Sequence, residues 1–244
     1  MSFPLLNDAL GASDALVFFD FEATQFSHKA ISLGIVLVPR KPGPLTLKSF
    51  GKPLTYQTLI LTEDNIGHVV TQMTGLTRKD LSDSGKHFAT VVKEVRNLLR
   101  PYHEKSFISY GPGDITIFRN TVDSHLAFES DLLRTFEKHY FDFYDYLRRY
   151  LVDNHGQALS IHKLLDHYQI RLDGKEHDSL FDAEALFEIF SRFIAHEEQT
   201  AKDILNCYEF NHSLEDVNRK LARKVLTTGK ATTQDLLTFL KESL

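Results

Sequence analysis

The first third of the chain consists of strongly apolar segments separated by short polar turns. Residues 15–23 (ALVFFDFEA) and 31–38 (ISLGIVLV) are apolar runs of strand length, rich in aromatic and β-branched residues. They predict two paired strands, followed by a proline-rich loop at 39–44 (PRKPGP). The looser alternation of residues 45–61 predicts a third strand, broken near Gly51.

The pattern becomes mainly helical after this region. Apolar residues spaced by three or four positions predict a series of helices, and short apolar runs between them predict strands. The predicted helices cover 63–73, 87–100, a segment beginning at Asp114, a segment ending at Tyr150, 159–168 and 179–195, and the predicted strands cover 105–110 and 141–143. Strands first, then helices alternating with single strands, predict an α/β domain.

The last part of the chain shows only helical spacing. Residues 214–226 and 233–240 predict two amphipathic helices joined at Thr228-Gly229. This segment is too short to form a hydrophobic core of its own. We therefore expect one catalytic domain at residues 1–197 and a short helical extension at 198–244.

Composition and charge limit the cellular setting and the partners. The chain has 244 residues and a formal net charge of -5, which argues against a protein that coats nucleic acid through bulk positive charge. The lone cysteine, Cys207, excludes an intrachain disulfide and suits a reducing compartment. The N-terminus has no secretory pattern, and no segment reaches the roughly 20 apolar residues that a membrane span needs. We expect a cytoplasmic protein.

Two carboxylates interrupt the first apolar strand. Asp20 and Glu22 are two positions apart, so their side chains leave the strand on the same face. Like charges beside an apolar core are unfavourable unless something neutralises them, and no Lys or Arg lies nearby in the sequence. The partner is either a remote side chain or a metal ion. The alternative is an edge strand whose acids are solvated.

Three further polar residues have ordinary structural interpretations when taken singly. Asp114 follows Ser-Tyr-Gly-Pro-Gly and opens a helix, where an Asp can act as N-cap. Asp182 fits a Ser-x-x-Asp capping box that begins at Ser179. His177 lies five residues before Asp182, about 500° around a continuous helix, so the two converge only if His177 lies in the preceding loop. The alternative for His177 is a surface histidine.

The order of these residues resembles the DEDDh subgroup of 3′-to-5′ exonucleases, which includes oligoribonuclease, ribonuclease T and the proofreading subunit of bacterial replicative polymerase. The stretches that carry the resemblance are FFDFEAT (18–24), MTGLT (73–77), SYGPGD (109–114), LSIHKLLDHY (159–168) and HDSLFDAEAL (177–186). The resemblance covers roughly residues 14–195. Each motif is weak alone, whereas five in this order are specific.

The resemblance implies a ribonuclease H-like mixed sheet flanked by helices and a metal-dependent 3′-to-5′ exonuclease. Such an enzyme releases nucleoside 5′-monophosphates from single-stranded RNA and/or DNA by two-metal hydrolysis. Asp20 would bridge two Mg²⁺ or Mn²⁺ ions, Glu22 and Asp182 would complete the site of the metal on the nucleophile side, and Asp114 would hold the metal on the leaving-group side. His177 would be the general base.

The same resemblance suggests contacts to a single-stranded nucleic acid with a free 3′ end. Ala23 and Thr24 would contact the terminal nucleotide, and Met73 and Leu76 would lie against the last base. Core packing is the alternative for Met73 and Leu76. A phosphate contact requires a cation, and the sequence does not choose among Lys29, Arg78, Arg119 and Lys175.

Two other classes of protein remain as alternatives. An HD-type phosphohydrolase would use His177-Asp178 with further histidines, such as His155, His162 and His167, but it requires an all-helical fold that gives Asp20 and Glu22 no role. A non-catalytic module would use an exonuclease-like fold only to bind nucleic acid or protein. The C-terminal helices could bind a protein partner or a second copy of the chain, or simply pack on the domain.

Overall fold

A five-stranded mixed sheet forms the centre of the molecule. The computed structural model describes residues 4–123, 126–195, 197–206 and 215–243. The strands are β1 (Ala15–Ala23), β2 (Ala30–Pro39), β3 (Leu54–Leu59), β4 (Lys105–Ser109) and β5 (Tyr140–Asp142), in the spatial order β3-β2-β1-β4-β5. β2 is antiparallel to β1 and β3, whereas β4 is parallel to β1 and β5. The predicted mixed α/β sheet is confirmed.

Helices flank the sheet on both faces. They are α1 (Pro4–Leu10), α2 (His68–Thr74), α3 (Arg78–Ser84), α4 (Phe88–Leu99), α5 (Gly113–Thr121), α6 (Ala127–Lys138), α7 (Phe143–Leu147), α8 (Ile161–His167), α9 (Ser179–Ala195), α10 (Glu197–Asn206), α11 (Glu215–Thr228) and α12 (Thr233–Ser243). A short 3-10 turn spans Leu47–Ser49. The bounds of β1 and α9 agree with the predicted segments, and α1, α3, α6 and α10 are additional to the predicted helices.

Alternate residues of β1 contribute to two separate hydrophobic cores. The even-numbered side chains face α9, where the ring centroid of Phe18 lies 5.2 Å from that of Phe190. The odd-numbered side chains face α4, α5 and α6, where the centroid of Phe19 lies 5.1 Å from that of Phe136. Because both faces of the strand are covered, β1 is a fully buried central strand and not the solvated edge strand of the alternative interpretation.

The start of α9 lies directly against the backbone of β2. A Cβ atom added to Gly34 would lie 2.1 Å from the carbonyl oxygen of Ser179 and 2.4 Å from the amide nitrogen of Leu180. Two residues along β2, the Ser32 Oγ lies 2.7 Å from the Ser179 Oγ. Because Gly34 has no side chain, α9 can lie this close to the sheet.

Two predicted elements differ from the structure in their bounds. The third strand is limited to β3, because the segment before it forms the 3-10 turn and an extended connection. The helix predicted at 63–73 begins only at His68, because Gly67 has a φ of 90°, which a right-handed helix does not allow. A Cβ added to Gly67 would also lie 2.4 Å from the Gln25 side chain, so both the backbone conformation and the available space favour glycine at this turn.

The C-terminal helices pack on the same core as α9. Ile204 of α10, Val217 of α11 and Leu240 of α12 are buried in the cluster that contains Phe190. The two helices predicted in this segment correspond to α11 and α12, although Leu214, like Cys207, falls outside the described residues. The division of the chain at residue 197 stays a prediction. In the described parts of the chain, no helix has the length and apolar character of a membrane span.

Replacement of Gly34 by alanine tests the close approach of α9 to β2. We expect Gly34→Ala to lower the free energy of unfolding by about 1–3 kcal/mol, because the new methyl group overlaps the Ser179 backbone. Urea denaturation measures this change. Gly113→Ala is the matched control, since a Cβ there meets no atom within 4 Å. Equal stability of the two variants would contradict the proposed constraint.

Candidate active site

Asp20 and Glu22 continue the even-numbered row of β1 beyond its apolar half. Asp20 lies opposite Gly34 and Glu22 lies opposite Ser32 in the antiparallel register with β2. Directly opposite residues share a face of the sheet, so both carboxylates project towards the start of α9. The structure therefore places them on one face, as their spacing predicts.

Asp114 lies at the start of α5, but it is not the N-cap of that helix. The N-cap position is occupied by Pro112, and the Asp114 Oδ1 accepts a hydrogen bond of 2.9 Å from the amide of Phe21. The pairing of β1 with β4 ends at Phe18 and Ile108, so this amide lies beyond the reach of β4. The carboxylate replaces the missing strand partner, and it is thereby fixed beside Asp20.

His177 lies in the turn before α9, as its spacing from Asp182 requires. Its φ is 62°, an uncommon conformation for a residue with a side chain. The capping box at Ser179 and Asp182 is wrong, because Asp178 accepts hydrogen bonds from the amides of Leu180 (3.0 Å) and Phe181 (3.2 Å). Capping by Asp178 leaves the Asp182 carboxylate to face the sheet.

The five predicted residues come together at the carboxyl end of the parallel strands. One potential ligand atom from each of Glu22, His177 and Asp182 lies within 4.8 Å of the others. Asp20 and Asp114 adjoin them, since the charges of Asp114, Asp182 and Glu22 all raise the pKa of Asp20. Sheets with parallel strands commonly bind ligands at this end.

Burial and mutual repulsion make these acids difficult to ionise. Burial is the main cause that raises the pKa of Glu22 to about 8 and that of Asp182 to about 6. Burial also raises the pKa of Asp114, although the hydrogen bond from Phe21 opposes this effect. In both Asp20 and Glu22, neighbouring carboxylates add to the effect of burial.

A divalent cation would remove this conflict. Among the described residues, no Lys or Arg forms an ion pair with any of the four carboxylates, Asp20, Glu22, Asp114 and Asp182. A donor set dominated by carboxylate oxygens matches the preference of hard ions such as Mg²⁺ and Mn²⁺. The residues present therefore fit a divalent metal centre.

The residues predicted to contact substrate have different surroundings. Met73 on α2 is 43% exposed, whereas Leu76 is partly buried against the small cluster around Ile66. Ala23 ends β1 beside Glu22. Thr24 is 1% exposed, its hydroxyl bonds to the Ser27 hydroxyl at 2.7 Å, and its amide donates to the Lys29 carbonyl.

Two residues next to Thr24 have positions that the sequence did not predict. The Gln25 Oε1 accepts a hydrogen bond of 3.2 Å from the amide of Val69, which fixes the loop after β1 to the start of α2. Phe26 is 71% exposed in that loop, and Val69 is 48% exposed. An aromatic residue among polar loop residues is the signal that could have identified Phe26.

The sequence model of the exonuclease family RNase_T matches residues 17–190. The chain belongs to this exonuclease family. It has the fold of a nuclease, and the match contains all five residues of the cluster. The all-helical phosphohydrolase alternative is wrong, because the domain is built on a mixed sheet and His162 and His167 face Glu176 and Asp203.

Solved structures of several nucleases have a similar fold. The nuclease domain of 3′hExo, a DEDDh family member bound to rAMP, is 20% identical with a TM-score of 0.56, covering 74% of this chain and 92% of that one. Cell-death related nuclease 4 is 17% identical (TM-score 0.55; 75% of this chain, 64% of that one). Exonuclease I from E. coli, in complex with a dA16 oligonucleotide, is 13% identical (TM-score 0.52; 74% and 40%). No curated protein sequence matches the chain.

The raised pKa values predict how pH affects the metal-free protein. Between about pH 4 and 8, the folded state holds protons on Glu22 and Asp182 that the unfolded chain releases, so the free energy of unfolding should fall as pH rises. Thermal unfolding in EDTA measures this fall. Saturating Mg²⁺ or Mn²⁺ should raise the midpoint more at about pH 8 than at about pH 5, since the ligands must be deprotonated. A metal-free midpoint that is constant across this range would refute the expectation.

Proposed function

We propose that this protein is a metal-dependent 3′-to-5′ exonuclease that releases nucleoside 5′-monophosphates from single-stranded RNA and/or DNA. The observation that carries the proposal is the convergence of Asp20, Glu22, Asp114 and Asp182 with His177 in one cluster that lacks a compensating Lys or Arg among the described residues. Membership of the exonuclease family supports it.

The acids of the cluster would hold two hard divalent cations, Mg²⁺ or Mn²⁺. Asp20 would contact both ions, with Glu22 and Asp182 on the side of the attacking water and Asp114 on the side of the leaving oxygen. Such ions, when bound, lower the pKa of water and stabilise the negative charge that develops on the phosphate.

His177 would orient the attacking water and accept its proton. The water oxygen forms a bond to phosphorus, the bond between phosphorus and the 3′ oxygen breaks, and that oxygen is protonated. The products are a nucleoside 5′-monophosphate and a strand with a new 3′ hydroxyl. The turn that holds His177 places its ring within reach of Glu22 and Asp182, whose ligand atoms lie close to it.

The terminal nucleotide would lie beside the cluster, next to α2 and to the loop that follows β1. Ala23, Thr24, Met73 and Leu76 would contact it, as the sequence predicts. Among these residues Met73 is exposed, whereas Thr24 is buried and Leu76 is partly buried. The exposed side chains of Phe26 and Val69 add apolar surface at the same place. Apolar and aromatic contact with a base face tolerates any base, so we expect little sequence preference.

Nucleic acid as the partner is supported by related structures. One 3′-exonuclease of known structure is described by its 3′-end specific recognition of a histone mRNA stem-loop, and E. coli exonuclease I is in complex with an oligonucleotide. The second candidate function is a non-catalytic binding module on the same fold. The presence of all five cluster residues favours catalysis over this alternative.

End-labelled oligonucleotides test the proposed activity. With Mg²⁺ or Mn²⁺, a 5′-labelled single strand should shorten stepwise from its 3′ end, and a 3′-labelled strand should release a labelled mononucleotide first. His177→Ala should lower the rate by about 10²–10⁴-fold while metal binding, measured by calorimetry, is retained. Metal binding without cleavage of either RNA or DNA would instead support the non-catalytic module.

Ion pairing distinguishes among the four cations that the sequence offers for a phosphate contact. Lys29 pairs with Asp64 at 3.1 Å, Arg78 with Glu63 at 3.6 Å and Arg119 with Glu137 at 2.6 Å. In the part of the chain that the structure describes, Lys175 forms no ion pair, and its Nζ would lie 3.3 Å from a Cβ added to Gly75. We therefore propose that Lys175, between the His177 turn and the MTGLT segment, contacts a phosphate of the strand.

The salt dependence of activity distinguishes a phosphate contact from a structural role. Lys175→Gln should lower kcat/KM on the order of tenfold, the usual contribution of one charged hydrogen bond. It should also reduce the slope of log(kcat/KM) against log[salt] by roughly 0.7, the value for one phosphate contact on a single strand. Arg119→Gln, which removes a cation already paired with Glu137, is the control and should leave the slope unchanged. Identical slopes for Lys175→Gln and the unmodified protein would exclude the contact.

A further inference from the structure

The turn that holds His177 is tied to neighbouring elements on both sides of that residue. Just before it, the Glu176 Oε1 lies 2.6 Å from the His162 Nδ1 on α8. Just after it, the Asp178 Oδ1 accepts a hydrogen bond of 2.8 Å from the Gln57 Nε2 on β3. The second contact joins residues that are 121 positions apart, and it connects the turn to the sheet itself.

Gln57 lies in the same row of the sheet as Asp20. In the antiparallel register, Gly34 of β2 lies opposite both Asp20 of β1 and Gln57 of β3. Directly opposite residues share a face of the sheet, so all three positions face the start of α9. The row therefore supplies a carboxylate from β1, the space that α9 occupies at Gly34, and an amide donor from β3.

The hydrogen bond from Gln57 is separate from the bonds that begin α9. The same Asp178 oxygen accepts the backbone amides of Leu180 and Phe181, and these donors remain whatever side chain is present at position 57. Loss of the Gln57 amide would thus leave α9 capped and Asp182 in its place. It would remove a side-chain link between β3 and the residue next to His177.

The backbone of the turn has an unusual conformation. His177 has a φ of 62°, which residues with a side chain seldom adopt unless their surroundings hold them there. Gly174, earlier in the turn, has a φ of 157°, and a Cβ added to it would lie 2.4 Å from the Phe181 ring. Because the turn depends on its contacts, we expect the loss of one contact to move the His177 ring relative to Glu22 and Asp182.

We propose that Gln57 is a positioning residue for His177. Its amide holds the Asp178 carboxylate against the sheet row that contains Asp20, and thereby fixes the ring that accepts the proton of the attacking water. The proposal rests on the proposed exonuclease function, in which His177 is the general base. It gives β3, which contributes none of the five cluster residues, a part in the hydrolysis.

Removal of the Gln57 amide tests the proposal. Gln57→Leu keeps the approximate size of the side chain without the donor, and we expect kcat to fall on the order of tenfold, the contribution of one hydrogen bond to a charged acceptor. KM and the affinity for Mn²⁺, measured by calorimetry, should be retained, because Asp178 still caps α9. Thr55→Val is the matched control, since Thr55 is also exposed and lies two residues earlier on the same face of β3.

A double-mutant cycle with His177 distinguishes positioning from a general structural effect. In the His177→Ala protein, Gln57→Leu should cause little further loss of kcat, because the residue through which Gln57 acts is already absent. Losses that multiply in the double variant would overturn the assignment. A Gln57→Leu protein with the kcat of the unmodified protein would do the same.

Nuclear magnetic resonance of the histidine rings gives a readout that does not require turnover. The His177 signals, assigned by their loss in His177→Ala, should shift or broaden in Gln57→Leu and stay unchanged in Thr55→Val. Unchanged signals in both variants would contradict the positioning role. If the unmodified protein cleaves no strand, the proposed function fails, whereas the response of these signals still decides whether Gln57 positions the ring.

Discussion

The contact between Gly34 and the first residues of α9 is the constraint on which the site depends. It brings the helix backbone against β2 with no side chain between them, directly opposite Asp20 in the register of the sheet. Asp182 and the turn that holds His177 are thereby placed above the carboxylates of β1. A larger separation of the helix and the sheet would leave two acids on a strand and two distant residues in place of one cluster.

The carboxylates of the cluster repel one another when they are ionised, although the protein around them is well packed. Asp20 and Glu22 follow apolar side chains on the same face of β1, and burial makes the charged forms of both acids unfavourable. The buried cores on both sides of the sheet hold them in place despite this repulsion. A divalent cation held among these acids would remove their repulsion, which is the physical reason to expect that the cluster binds one.

Local sequence patterns predict much of the fold, whereas the site residues are predicted by the order of five motifs along the chain, each of which is weak alone. The alternation in β1 and the helical spacing of α9 are visible within the segments themselves, and the predicted bounds agree with the structure. What the sequence could not predict depends on distant parts of the chain. The acceptor role of Asp114 arises only because β4 ends before β1 does, and the cap of α9 belongs to Asp178 because Ser179 is engaged with Ser32.

Helix α9 extends from the carboxylate cluster to the C-terminal helices. It is 17 residues long, or about 25 Å, with Asp182 near its first turn and the packing surface for the C-terminal helices near its last. Phe193 and Ile194 near its last turn are buried in the same cluster as Ile204, Val217 and Leu240 of the C-terminal helices, whereas Gly34 lies against its first residues. One helix therefore carries Asp182 at its first turn and the packing surface of the C-terminal helices at its last, so a change in that packing and a change in the position of Asp182 involve the same element.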